Sequence, residues 1–105
     1  MAIVEITVEE LADLLATDAR LIDVREPAEY AEAHVPGAML VPLGTVPDQV
    51  DAFRGDGPTY VICRSGARSM KACELVADHG IDVVNVAGGT MAWVMSGRDY
   101  ATGAA

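Results

Sequence analysis

The sequence predicts an α/β domain in which a parallel sheet is covered by helices on both faces. Three observations predict it. Short strand-like runs alternate with helix-patterned stretches along the whole chain, as βαβ units do. The run Tyr60-Val61-Ile62 before Cys63 has no polar break, so it lacks the two-residue alternation of a sheet with one wet face. A chain of 105 residues with 51% hydrophobic content can bury one core and is near the usual size of a single domain. We expect that domain over residues 1–100, with a flexible tail over 101–105.

The elements follow in order. Residues 3–6 form a short strand. Thr7 caps the helix that follows, with Glu10 three residues on as its capping box, and Leu11, Leu14 and Leu15 make the apolar stripe. Residues 21–25 are a second strand. Pro27 suits the first turn of a short helix reaching Ala33. Pro36-Gly37 marks a turn. Residues 39–43 are a third strand, at an edge because Pro42 cannot donate to a ladder. Residues 46–53 are a short helix. Residues 59–63 are a fourth strand, and residues 67–79 a helix whose face is Ala72, Leu75, Val76 and His79, stopped by Gly80. Residues 81–86 are a fifth strand. Gly88-Gly89 is a turn before a last helix at 90–96.

In such a sheet, ligands sit beyond the carboxyl ends of the strands. Asp23 to Arg25, Cys63, and Ala87 to Gly89 all fall there. Cys63 stands at a strand–loop–helix junction, where the first amides of the helix lack partners and favour an anion. A free thiol titrates near ~8.5, and such a site with arginines nearby lowers that value. Arg64 and Arg68 flank the turn.

Charge sharpens the picture. The chain carries sixteen acids against seven Lys+Arg, a net charge of -9. That excludes the basic field that nucleic acids and anionic membranes require. Yet Arg64, Arg68 and Lys71 cluster at the loop and helix start, which points to a small anionic substrate. Cys63 and Cys73 are too far apart along one helical unit for a disulfide. The start of the chain lacks the pattern of a signal peptide, and no apolar run reaches the ~18 residues of a membrane helix. A reducing cytoplasm is the expected compartment. Two histidines and two separated cysteines give no metal set, and no cofactor is expected.

Four segments, in order and register, resemble the rhodanese family of single-domain sulfurtransferases. They are Leu21 to Arg25 followed by Glu26-Pro27-Ala28-Glu29-Tyr30, the turn His34-Val35-Pro36-Gly37-Ala38, the loop Cys63-Arg64-Ser65-Gly66-Ala67-Arg68, and Gly88-Gly89 with Ala92-Trp93. The resemblance implies a three-layer fold with a central five-stranded parallel sheet. It also implies a persulfide on Cys63, loaded from thiosulfate or a similar donor and unloaded onto cyanide or a thiol. Loop positions Arg64, Ser65, Gly66, Ala67 and Arg68 would bind the substrate, with the two arginines holding the sulfonate. The alternative for Arg68 is a structural pairing with a carboxylate.

Blander readings stand beside these. Without its arginine-flanked loop, Cys63 would be an inert core residue. Asp23 and Arg25 are expected to support the loop rather than react. His34 and Trp93 are read as structural, and Cys73 as a packed helix residue. Rival functions are a relay carrier loaded by a protein partner, a non-catalytic binding module, and a dual-specificity-type phosphatase. The last uses a Cys-x5-Arg loop, whereas four residues separate Cys63 from Arg68, a ring better sized for sulfur than for phosphoryl.

Overall fold

The computed structural model describes residues 2–104. Five strands form one parallel sheet in the order β1-β5-β4-β2-β3. They are β1 (Val4–Ile6), β2 (Arg20–Asp23), β3 (Met39–Leu40), β4 (Thr59–Ile62) and β5 (Val83–Val86). The helices are α1 (Val8–Leu15), α2 (Pro27–Glu32), α3 (Ala67–Ala77) and α4 (Gly89–Met95).

Two cores sandwich the sheet. Val61, with Ile22 and Val24, packs against Phe53 and against Ala72, Cys73 and Val76 of α3. Tyr60 and Ile62 point the other way, toward Leu11 of α1, Tyr30 of α2 and Trp93 of α4. All of β4 and β5 is buried; apolar side chains fill both faces, as the unbroken run before Cys63 predicts, with Thr59 and Asn85 the buried polar residues among them. The Thr7–Glu10 capping box closes the start of α1, Thr7 Oγ1 accepting from the Glu10 amide at 3.1 Å.

The structure corrects several boundaries. β3 is two residues long at the sheet edge, and the chain leaves it before Pro42, which has no N–H to give. The helix expected over 46–53 is two 3-10 segments, Leu43–Asp48 and Val50–Phe53. Pro47 lies inside the first, where its missing N–H prevents a regular α-helical ladder. α3 ends at Ala77 rather than at 79: the amides of His79 and Gly80 reach back three residues, to Val76 and Ala77, tightening the last turn. His79 is therefore exposed, and the buried face of α3 is Ser69, Ala72, Cys73 and Val76. In the segment expected to be a tail, Ala101 exchanges two backbone hydrogen bonds with His34, and Gly103 N donates to Ala31 O at 2.8 Å. Met1 and Ala105, included in the expected domain and tail, lie outside the described residues.

Candidate active site

The carboxyl ends of β2, β4 and β5 carry the loop, and α4 holds it from above. Gly66 adopts φ +114°, a left-handed turn open to glycine, and caps α3. That turn brings the Gly66 amide to 3.1 Å from Cys63 Sγ. Ser69, in the first turn of α3, brings its hydroxyl to 3.3 Å from the same sulfur. Cys63 is 1% exposed, and burial by itself pushes its thiol up. The Ser69 hydroxyl and the amides of Ser69, Gly66 and Ser65 outweigh that, and the net shift is downward.

The loop is held from outside by backbone. Thr90 N donates to Cys63 O at 2.8 Å and Met91 N to Arg64 O at 3.0 Å, so loop carbonyls satisfy the open amides of α4. This contact requires Gly89. A Cβ there would stand 2.5 Å from the carbonyl oxygens of both Cys63 and Arg64. With its carbonyls drawn onto α4, the loop leaves an amide for the sulfur.

The two loop arginines part company. Arg68 gives Nη1 to Glu29 Oε1 at 2.7 Å and Nη2 to Glu29 Oε2 at 2.8 Å. Its guanidinium is committed to α2 and holds the Glu29 carboxyl down at about 2. Arg64 is exposed. Among the described residues, Arg64 and Lys71 are the cations with neither an ion pair nor a side-chain hydrogen bond. Of the two, Arg64 is on the loop.

Asp23 and Arg25 form a buried pair. Arg25 Nη2 meets Asp23 Oδ2 at 2.8 Å and also donates to Ala33 O at 2.7 Å, tying the end of β2 to the end of α2. A groove of about 290 Å³ runs beside the loop, lined by Arg25, Glu29, Glu32 and Arg64 and by Thr90, Met91, Val94 and Met95. Ser65 and Ala67 are exposed on the turn.

Away from the loop, His34 is buried, stacked on Tyr30 and bonded to the Tyr30 carbonyl at 2.8 Å. Trp93 donates to Asp99 O. Burial pushes the Cys73 thiol up to about 12. No cluster of three or more His, Cys, Asp or Glu suited to a metal occurs among the described residues.

Sequence reasoning missed three contributors. Ser69 carried a signal, a hydroxyl six residues past the cysteine on the first helical turn. Asn85 carried one too, being the single polar residue of Val83-Val84-Asn85-Val86. Glu29 is the carboxylate that the alternative reading of Arg68 allows, but nothing local singles it out, because their meeting spans 39 residues.

The family model for the rhodanese-like domain matches residues 7–96. A Bacillus subtilis protein named "Putative sulfurtransferase YtwF" is 40% identical over 95 residues, 89% of this chain and 92% of its own length. A protein of Allochromatium vinosum named "Sulfurtransferase" is 38% identical over 96 residues, 89% of this chain and 90% of its own. The crystal structure of a rhodanese-like domain protein from Staphylococcus aureus superposes with a TM-score of 0.81 at 38% identity, covering 87% of this chain and 91% of that one.

Proposed function

The chain belongs to the rhodanese-like domain family, and from that premise we propose that it is a sulfurtransferase carrying sulfane sulfur from thiosulfate to cyanide or a thiol as a persulfide on Cys63. The observation that carries this reading is the pair of donors on Cys63 Sγ, the Gly66 amide at 3.1 Å and the Ser69 hydroxyl at 3.3 Å. Both stabilise a thiolate, the form that attacks sulfur.

In the first half-reaction the Cys63 thiolate attacks the outer sulfur of thiosulfate. A bond forms between Sγ and that sulfur, the sulfur–sulfur bond of the donor breaks, and sulfite leaves with the electron pair. Arg64, without an ion pair among the described residues, meets the sulfonate oxygens. The cysteine now ends in a negatively charged persulfide, which the fixed dipoles of the loop stabilise without reorganising. In the second half-reaction cyanide or a thiolate attacks the terminal sulfur, and thiocyanate or a new persulfide departs while the Cys63 thiolate is restored. Asp23 and Arg25 support the floor of the loop. A reducing, cytoplasmic setting keeps the thiol available between turnovers.

A second reading, a relay carrier loaded by a protein partner, is favoured by one observation. Met91 and Met95, in the groove beside Arg64, are 40% and 79% exposed.

Intact mass after incubation with thiosulfate tests the proposal. We expect a gain of one sulfur atom, absent in Cys63→Ser and discharged by cyanide with release of thiocyanate. No gain from any sulfane donor would overturn it; a gain only from a protein persulfide would select the relay.

A further inference from the structure

Asn85 is fully buried in β5 with valines on either side in the strand. Its amide nitrogen has two hydrogens and two acceptors, Gly66 O at 3.1 Å and Glu5 Oε2 at 2.8 Å. Glu5 sits opposite it in the β1–β5 pairing. Turning the amide over would set Oδ1 against a carbonyl and a carboxylate, so these two acceptors fix its orientation. In that orientation Asn85 Oδ1 has no hydrogen-bond partner among the described residues. A fourth valine would suit the strand and leave no buried oxygen unpaired. The fold alone does not account for an amide here; its reach to the catalytic loop does.

The Gly66 carbonyl has two lone pairs. Met70 N, 3.1 Å away, uses one as the first helical bond of α3. Asn85 uses the other. Ser69 Oγ lies 3.2 Å from that same oxygen and 3.3 Å from Cys63 Sγ, and a hydroxyl has one hydrogen to give. With the carbonyl already occupied, that hydrogen turns to the sulfur.

We propose that Asn85 is a positioning residue for sulfur transfer: by occupying the Gly66 carbonyl it directs the single Ser69 hydroxyl hydrogen onto Cys63 Sγ. Asn85 acts through Ser69. The assignment rests on Cys63 being the reacting group.

The test is the pH dependence of Cys63 alkylation by iodoacetamide, followed by peptide mass in the full chain. It compares wild type, Asn85→Leu, Ser69→Ala and the double variant. Each single change is expected to raise the midpoint by about half to one pH unit, a threefold to tenfold loss of rate below it. The double variant should go no further than Ser69→Ala, because both changes remove the same hydrogen bond. A wild-type midpoint in Asn85→Leu would overturn the proposal, as would a shift that adds in full to that of Ser69→Ala. If circular dichroism shows Asn85→Leu unfolded, Asn85→Thr replaces it, keeping a side chain suited to a strand without an amide. Sulfur uptake from thiosulfate, measured on the same samples, separates the two levels. Coupled midpoints without uptake in wild type would remove the proposed activity and leave the role of Asn85 standing. Uptake with uncoupled midpoints would do the reverse.

Discussion

Arg68 and Glu29 meet through two parallel hydrogen bonds of 2.7 and 2.8 Å, pinning the start of α3 to α2 across the mouth of the Cys63 loop. The pair is partly exposed, 36% and 30% by side chain, so solvent screens it and its net contribution is about 1 kcal/mol. Glu29 is held at about 2, against an ordinary 4.5, first by its hydrogen bonds to Arg68. A carboxyl lowered in the folded state stabilises above its unfolded value and loses that contribution as pH falls toward the folded one. Urea midpoints of wild type and Glu29→Gln should therefore differ above about pH 4.5 and converge near pH 2. A gap that stays constant down to pH 2 would contradict the pairing.

Among the described residues Arg64 has no ion-pair or side-chain hydrogen-bond partner to lose. Arg64→Ala should leave the thermal midpoint within a degree or two while raising the KM for thiosulfate about tenfold, the loss of one charge-assisted contact. Steady-state kinetics with varied thiosulfate decide it. An unchanged KM with a fallen kcat would mean that Arg64 shapes the loop.

Gly89 faces two carbonyl oxygens at 2.5 Å from where a Cβ would stand, with φ at +59°. Gly89→Ala must displace α4 or the loop. We expect it to cost about 1–3 kcal/mol in urea unfolding and to slow Cys63 alkylation, since the carbonyls of Cys63 and Arg64 lose their hold on α4. Gly97, with nothing within 4 Å of its Cβ position, supplies the control: Gly97→Ala bears only the strain of its positive φ and should leave alkylation unchanged.

Cys73 is fully buried, and burial raises its thiol to about 12. Alkylation at neutral pH should label one cysteine in the native chain and two in denaturant. Cys63 should react faster than Cys73, since its shift is downward and that of Cys73 is upward. Native labelling of Cys73 at a comparable rate would refute the packing described for α3.

Much of this was legible in the chain. The capping box at Thr7 and Glu10, the turn at Pro36-Gly37, and strands buried on both sides are local or periodic signals, and local signals survive folding. The 3-10 segments around Pro47 and the early end of α3 were not legible, because propensity leaves the ends of short elements undecided between three- and four-residue hydrogen bonds. At the site, the cysteine, its glycine and its arginines stood in one stretch of ten residues. Their division of labour did not.

The order of residues by itself determined a parallel α/β sheet and a cysteine beside amides at the head of a helix. Both follow from spacing along the backbone. Only the tertiary structure decided that Arg68 belongs to Glu29, that Gly89 docks α4 on the loop carbonyls, and that Asn85 reaches the Gly66 oxygen. Each of these joins segments 19 or more residues apart, and such contacts form only when the sheet order brings distant strand ends together.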